Sequence, residues 1–238
     1  MSKLKAYLKL SAISFITVFF AIFAIIFSLI DRSGRVYNLL GKWWAKILLW
    51  IAGVRVETIG LENVNKGENY IYVANHLSNI DIPIVMANLP GQLRIVFKKE
   101  LAKIPIFGWQ LRTGPYILID RQNPTRAIKS LEIAKKKIQK GVSVLLFAEG
   151  TRSIDGNIQQ FKRGAFTLAT RSGKQIVPLT IKGTYEILPK KALEIKPGKV
   201  KLIIDKPINH YGSTDKKSEL DLMDRVRNII INNYYSLE

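Results

Sequence analysis

The chain contains no cysteine, and only two of its 238 residues are histidine, His76 and His210. The absence of cysteine excludes disulfide bonds, thiolate metal ligands and a cysteine nucleophile, and it leaves the redox compartment open. Acidic residues are also scarce, with 18 Asp and Glu against 37 Lys and Arg and a formal net charge of +19. A surface this basic predicts partners that carry phosphate or carboxylate: nucleic acid, anionic lipid head groups or acidic carrier molecules.

Charge is also absent from a long segment near the start of the sequence. Leu10–Ile30 has neither a charged residue nor a proline. As a helix it would be about 31 Å long, enough to cross the hydrocarbon core of a bilayer. A signal peptide is the alternative, but the run is longer than the usual apolar core, and Ser28–Asp31 lacks a small-residue cleavage site. We therefore expect this segment to stay in the membrane.

A second apolar segment follows at once. Between Val36 and Ile51 the apolar residues recur at helical spacing. Trp43, Trp44 and Trp50 stand near lysines, as is typical of the head-group interface. Positive charges flank the first run on both sides, so a hairpin that enters one leaflet and a single span both stay open. We predict a membrane-anchoring two-helix segment over residues 1–53 and one α/β domain over residues 54–238.

From about Val54 short apolar runs alternate with helix signatures. This alternation predicts an α/β fold with a mixed central sheet flanked by helices, preceded by the N-terminal hydrophobic helical hairpin. One helix is predicted to be capped by Asn123, to start at Pro124 and to end at Gly141, and another covers Lys216–Ile231. The predicted strands are Tyr70–Ala74, Leu93–Phe97, Tyr116–Ile119, Val142–Ala148, Ile176–Ile181 and Val200–Ile204.

His76 directly follows the predicted strand Tyr70–Ala74. It should therefore lie at the carboxyl end of a strand, where open α/β sheets place their sites. Asp81 can point back toward the imidazole if Ser78 begins a new helix, and a carboxylate on one ring nitrogen leaves the other free to take a proton. Ser78-x-x-Asp81 is also a helix-capping box that requires no chemistry, and on spacing alone the cap is the better interpretation.

A second polar block follows the strand Val142–Ala148. Gly150 allows a tight turn and a close approach to a ligand. Arg152 offers the planar fork that grips a phosphate, Thr151 adds a hydroxyl, and Glu149 can orient the arginine or contact a substrate hydroxyl. The alternative interpretation is a turn that contains a local salt bridge.

Three further polar residues are weaker candidates. Lys98 follows the strand Leu93–Phe97 and can present an ammonium to the same edge of the sheet. Arg121 ends the segment Tyr116–Arg121, and like Lys98 it is alternatively a solvated strand end. His210 lies in a polar loop far from any paired ligand, so we predict no metal site.

Taken in order, these blocks resemble the glycerolipid acyltransferase family, and in particular its 1-acylglycerol-3-phosphate acyltransferase branch. The four family motifs are similar to Asn75–Asp81, Tyr116–Arg121, Phe147–Ser153 and Ile176–Ile181. The N-terminal pair of apolar segments resembles the membrane anchor of that family. Two positions depart from the pattern, since Asn79 replaces a common aromatic residue and Ala148 replaces proline.

The resemblance implies transfer of a fatty acyl group from an acyl thioester to the sn-2 hydroxyl of lysophosphatidic acid. His76 would be the general base and Asp81 its orienting carboxylate. Residues 149–152 would bind the acceptor phosphate, with Lys98 and Arg121 adding positive field. The resemblance implies no cofactor and no metal, because acyl-CoA or acyl-carrier protein is a donor substrate. It also implies contact with anionic membrane lipids at the cytoplasmic face of the cell membrane.

Two other functions stay open on the residues alone. One keeps the chemistry but takes glycerol-3-phosphate or another lysophospholipid as the acceptor. The other is a non-catalytic, basic, membrane-bound protein that binds anionic lipid. Nucleic acid is disfavoured, because the basic residues are scattered and the tryptophans cluster in the anchor. The sequence does not set the acyl-chain length, the donor, the groups that stabilise the oxyanion, or the oligomeric state.

Overall fold

A computed structural model of the chain describes residues 3–120, 124–209 and 215–236. Arg121, Asn123 and His210 lie outside these ranges, so the predictions made for them are not addressed by the structure.

Two long helices form an N-terminal hairpin. Helix α1 covers Lys3–Ile30 and helix α2 covers Arg35–Ala52, and the two pack against each other. Asp31 closes the turn between them, because its two carboxylate oxygens accept hydrogen bonds from the backbone N–H groups of Ser33 (2.9 Å) and Val36 (2.8 Å). Among the described residues one helix, α1, has the length and composition needed to cross a membrane.

The described residues after the hairpin fold around a seven-stranded mixed sheet in the order β1-β7-β6-β2-β5-β3-β4. Neighbouring strands are parallel except β6 and β7, which are antiparallel. The strands are β1 (Val54–Ile59), β2 (Ile71–Ala74), β3 (Leu93–Lys98), β4 (Ile117–Ile119), β5 (Ser143–Phe147), β6 (Ile176–Lys182) and β7 (Gly198–Ile204).

The predicted fold class and the six predicted strands are confirmed. Strand β1 was not predicted. It lies at an edge of the sheet, where Arg55 and Glu57 face solvent and interrupt the apolar run that marks the central strands.

Within the described ranges, six more helices pack on the sheet or follow its strands. Helix α5 begins at Pro124 as predicted, and the closing helix extends beyond the predicted end at Ile231 to Ser236. These helices are α3 (Asp81–Asn88), α4 (Phe107–Thr113), α5 (Pro124–Gln139), α6 (Gly164–Ser172), α7 (Thr184–Ile187) and α8 (Lys216–Ser236). Short 3-10 turns cover Leu61–Asn63 and Lys99–Lys103.

The sheet is covered on both faces, which explains why its central strands read as continuous apolar runs. In β2, Tyr72 and Ala74 belong to the core shared with α2 and α3, whereas Ile71 and Val73 belong to the core shared with α5, α6 and α8. Because β2, β5 and β6 are parallel and adjacent, their carboxyl ends meet at one edge. Ala74 pairs with Phe147, so His76 and Glu149 both lie two residues beyond the same register pair.

Candidate active site

The His76 imidazole is paired with a fully buried carboxylate. His76 Nδ1 lies 2.8 Å from Asp81 Oδ2, and Asp81 is 0% exposed. The same oxygen accepts hydrogen bonds from the backbone N–H groups of Leu77 and Ser78, each at 2.8 Å. Since a carboxylate only accepts, a neutral ring facing it carries its proton on Nδ1 and presents an unprotonated Nε2. The carboxylate is held in place by the loop that carries the histidine.

Ser78 does not begin the following helix, so the condition under which the sequence brought Asp81 to the imidazole is not the one the structure uses. Helix α3 begins at Asp81, its N-cap position is Ile80, and no side chain caps it. The Ser78 hydroxyl instead donates to the Leu188 carbonyl at 2.8 Å. Asp81 does reach back to the Ser78 N–H as a capping box requires, and it contacts the histidine with the same oxygen. The back-contact of a capping box is thus made in the loop ahead of the helix, and the oxygen that makes it also pairs with His76.

The imidazole ring rests on an aromatic side chain. The ring centroids of His76 and Phe147 lie 4.0 Å apart with an interplanar angle of 20°. The His76 side chain remains 15% exposed, and within the described residues its Nε2 makes no hydrogen bond. Stacking and the Asp81 contact together restrict the ring while Nε2 stays open. The sequence analysis placed Phe147 in a motif but gave its side chain no role, although its position at the end of β5, beside β2, was the available signal.

Asn75 joins the His76 loop to the neighbouring strand. Its side-chain amide donates to the Ile181 carbonyl and accepts from the Ile181 N–H, both at 2.8 Å. Asn75 is 0% exposed, so this pair replaces the backbone ladder where β2 ends beside β6. An aspartate could not donate and would lose half of the pair.

The Glu149 carboxylate contacts the His76 loop and not Arg152. One oxygen accepts from the His76 backbone N–H at 2.6 Å, and the other accepts from the Gln159 N–H at 2.9 Å. Glu149 is 2% exposed, and burial raises its pKa to about 7 against the opposing effect of these two hydrogen bonds. The expectation that Glu149 orients Arg152 is not met, because the strand register places it beside His76.

Gly150 forms the tight turn that the sequence predicts. Its φ is 73°, in the left-handed region that favours glycine, and its N–H donates to the Phe147 carbonyl at 3.0 Å. A Cβ at this position would lie 3.0 Å from Cδ and 3.3 Å from Nζ of Lys162. The Lys162 side chain therefore lies directly against the turn and adds a second cation to that of Arg152.

Thr151 and Arg152 continue this turn at the rim of the site. Thr151 is exposed and Arg152 is half-buried. In the described part of the chain, no carboxylate oxygen lies within 4.0 Å of the Arg152 guanidinium. Lys190 donates to Thr151 Oγ1 at 3.2 Å and to the Arg152 carbonyl at 3.0 Å. Lys190 is 38 residues from Arg152 in sequence, and sequence reasoning missed it.

Lys98 lies at the same edge of the sheet, at the end of β3. Its side chain is 48% exposed, and its Nζ is 3.7 Å from Glu100 Oε1. The neighbouring Lys99 instead binds the buried Asp120, at 2.6 Å. Lys98 thus supplies positive charge at this edge through a side chain that is half exposed to solvent. The described residues include no group of three or more His, Asp or Glu side chains placed to hold a metal ion.

A cavity of about 410 Å³ opens beside the His76 loop. Asn79 and Ile80, which lie between His76 and Asp81, form part of its wall, as does Leu188. Helices α1, α2 and α4 supply most of the remaining lining through Leu10, Ile13, Ala21, Trp44, Leu48 and Phe107. The N-terminal hairpin therefore builds one side of an apolar cavity whose wall includes two residues of the loop between His76 and Asp81.

The fold and the site together define a class of α/β protein, in which a His–Asp pair and a basic glycine turn lie at one edge of the sheet beside an apolar cavity of about 410 Å³. The acyltransferase family matches residues 55–182, more than half of the chain. This chain belongs to the acyltransferase family.

Named relatives narrow the comparison. The chain is 36% identical over 205 residues to the chloroplastic 1-acyl-sn-glycerol-3-phosphate acyltransferase BAT2 of Brassica napus, a match that covers 85% of this chain and 57% of that protein. It is 34% identical to the 1-acyl-sn-glycerol-3-phosphate acyltransferase of Limnanthes alba, over 84% of this chain and 70% of the relative. The chain spans little more than half the length of the Brassica protein.

A solved structure is similar over nearly the whole chain. It is the crystal structure of the 1-acyl-sn-glycerophosphate (LPA) acyltransferase PlsC from Thermotoga maritima, with a TM-score of 0.80 and 29% sequence identity. The match covers 98% of this chain and 96% of that one, so the helical hairpin and the α/β domain are both part of the likeness.

Proposed function

We propose that this chain transfers a fatty acyl group from an acyl thioester to the sn-2 hydroxyl of lysophosphatidic acid, giving phosphatidic acid. The observation that carries the proposal is the place of the His76 loop. Its residues Asn79 and Ile80 line the apolar cavity, while His76 and Asp81 on either side of them form the hydrogen-bonded pair. A base is thereby set where an acyl chain in the cavity would present its reactive end.

His76 acts as the general base. Nε2 removes the proton from the acceptor hydroxyl as its oxygen attacks the thioester carbonyl, and the imidazolium then protonates the leaving thiolate. Asp81 holds Nδ1–H and stabilises the imidazolium, and its two backbone hydrogen bonds keep it from turning away. No covalent acyl-enzyme is required, because the acceptor oxygen attacks the thioester directly.

Arg152 binds the acceptor phosphate. Within the described residues its guanidinium has no carboxylate partner, and its planar fork matches two phosphate oxygens. Gly150 allows the phosphate to approach the backbone of the turn, while Lys98 and Arg121 add positive field. Glu149 does not contact the substrate. It fixes the His76 loop by accepting a hydrogen bond from the His76 backbone N–H.

The donor is an acyl thioester of coenzyme A or of an acidic carrier protein, and its acyl chain lies in the 410 Å³ cavity. The net charge of +19 favours both kinds of donor and the anionic lipids around the acceptor. Activity on micellar substrate is therefore expected to fall steeply as ionic strength rises. Activity that does not respond to salt would contradict this role of the charge.

Residues 1–53 hold the chain at the membrane as a hairpin that enters one leaflet, and residues 54–238 carry the chemistry at the cytoplasmic face of the cell membrane. The contact that supports a hairpin is made by Lys9, whose Nζ donates to the carbonyls of Ala52 and Ile195, both at 3.1 Å. These bonds keep the start of α1 on the same side as the α/β domain.

The test compares wild type with His76→Ala in detergent, using a long-chain acyl thioester and lysophosphatidic acid and measuring phosphatidic acid. Product from wild type alone supports both the reaction and the base. Product from both proteins would support the proposed reaction but contradict the role of His76 as its general base. If neither folded protein forms product, glycerol-3-phosphate and other lysophospholipids are the next acceptors to measure, and a non-catalytic lipid-binding role follows if these fail too.

A further inference from the structure

One segment outside the recognised motifs contacts both loops of the site. It runs from Leu188 to Lys191, directly after α7. The Leu188 carbonyl accepts from the Ser78 hydroxyl at 2.8 Å, which ties the segment to the His76 loop. Lys190 reaches the glycine turn and donates to Thr151 Oγ1 and the Arg152 carbonyl at 3.2 and 3.0 Å. Among the described residues after β6, this segment alone hydrogen-bonds to both the His76 loop and the glycine turn. Leu188 makes the first contact and Lys190 makes the second.

The backbone of this segment is held in an unusual shape. Lys191 has a φ of 75°, in the left-handed region that residues other than glycine seldom adopt. A hydrogen bond of 3.1 Å from the Ala192 N–H to the Pro189 carbonyl closes the turn around it. This turn directs the Lys190 side chain back toward the site while Lys191 points into solvent. Such strain persists only where the surrounding structure imposes it.

The charge of Lys190 is not balanced by a carboxylate. Both of its hydrogen-bond partners are neutral oxygens, and among the described residues no carboxylate oxygen lies within 4.0 Å of its Nζ. An ammonium has three N–H donors, and two are used here. One donor and one full positive charge are left at the rim beside Arg152, and the Lys162 side chain lies against the same turn at Gly150.

We propose that Lys190 is a substrate-binding residue for the acceptor phosphate: its ammonium fixes the Thr151–Arg152 turn and gives its third N–H to a phosphate oxygen. This inference rests on the proposed function, since it assigns a further ligand to the same acceptor site. A phosphomonoester fits this position because it carries enough negative charge for two cations and accepts several hydrogen bonds at once.

The experiment measures binding without turnover. Short-chain lysophosphatidic acid, below its critical micelle concentration, is titrated into wild type, Lys190→Met and Lys191→Met in detergent without an acyl donor. Losing a hydrogen bond to a charged group weakens binding by about tenfold or more, so Lys190→Met should show that increase in Kd. Lys191→Met removes the same charge one residue away and should bind within about twofold of wild type, as expected for an exposed charge.

Inorganic phosphate serves as a second probe, as a competitor of the titrated lipid. Its inhibition constant should rise in Lys190→Met and stay near the wild-type value in Lys191→Met. Equal binding by wild type and Lys190→Met would overturn the proposal. So would an equal loss in both variants, because that result assigns the effect to net charge.

Turnover is then measured separately, so that the two proposals fail in different ways. If wild type forms no phosphatidic acid, the proposed function fails, while the binding result still decides the role of Lys190. If Lys190→Met lowers kcat but leaves Kd and the phosphate inhibition constant unchanged, Lys190 only holds the turn and the phosphate contact is wrong. Unchanged melting temperatures in both variants exclude a loss of fold as the cause.

Discussion

His76 Nδ1 lies 2.8 Å from Asp81 Oδ2, and that one carboxylate oxygen also accepts hydrogen bonds from the Leu77 and Ser78 N–H groups. The carboxylate therefore orients the ring and shapes the loop that carries it. A single oxygen thus holds the backbone of the loop and the imidazole, although helix α3 itself begins at Asp81 without a side-chain cap.

Asp81→Asn should lower kcat by about 100-fold or more, with smaller changes in KM, because an amide carries no negative charge to stabilise the imidazolium. Its neutral oxygen is also a weaker acceptor for the backbone N–H groups, which should destabilise the fold by about 1–3 kcal/mol. Steady-state kinetics and thermal unfolding check both effects. Asp224→Asn, at an exposed position of α8, is the control. A kcat close to wild type for Asp81→Asn would remove the pair from the mechanism.

Arg152→Ala should raise the KM for lysophosphatidic acid by about tenfold or more while kcat changes less, because the phosphate is bound alike in the ground and transition states. The KM of the acyl donor should stay unchanged. Arg152→Lys should recover part of the loss, since it restores the charge without the fork. Arg225→Ala, an exposed arginine on α8, controls for net charge. Unaltered kinetics for Arg152→Ala would place the acceptor phosphate elsewhere.

The cavity predicts a change in acyl-chain preference. Ala21 is 4% exposed and lines the cavity, so Ala21→Leu should shorten the space open to an acyl chain. We expect kcat/KM to fall by about tenfold for the longest thioesters relative to short ones, which is the usual effect of one or two methylenes. Ile22→Leu, on the exposed side of α1, is the control. A uniform loss across all chain lengths would indicate general disruption of the hairpin instead.

The raised pKa of the buried Glu149 carboxyl predicts that the stability of the folded chain depends on pH. Burial raises its pKa from 4.5 to about 7, so the folded chain holds this proton more tightly than the unfolded chain does. Its contribution to stability is present below pH 4.5 and is lost as the pH rises through 7. Relative to Glu149→Gln, wild type should lose unfolding free energy across that window by at most about 1.4 kcal/mol per pH unit.

Denaturant unfolding in detergent between pH 4.5 and 8 measures the Glu149 effect. Glu62→Gln, at an exposed site, should follow wild type at every pH. Parallel curves for wild type and Glu149→Gln would show that the Glu149 carboxyl has an ordinary pKa in the folded protein.

The absence of cysteine allows a direct test of the membrane arrangement. Single cysteines at Tyr7, which is 64% exposed, and at Lys217 on α8 can be labelled in intact cells with an impermeant maleimide. Because Lys9 binds the carbonyls of Ala52 and Ile195, both cysteines should be protected in intact cells and labelled together after permeabilisation. Labelling of Tyr7→Cys alone from outside would instead require α1 to span the bilayer.

The sequence by itself determined the local parts of this protein. Apolar runs ending in polar residues predicted the six strands, and helical spacing predicted the hairpin and helices α5 and α8. The order of the motifs predicted the family and placed His76 and Asp81 within reach of each other, because these features depend on periodicity and turn chemistry among near neighbours.

Only the tertiary structure decided which of these parts meet. The strand order places β2 between β5 and β6. As a result the Glu149 carboxylate accepts a hydrogen bond from the His76 N–H, and the Asn75 side chain hydrogen-bonds to the Ile181 backbone. It also brings Lys190 to Arg152 across 38 residues and makes α1 a wall of the cavity. Such contacts arise from long-range packing of whole strands and helices, which the local pattern of residues does not encode.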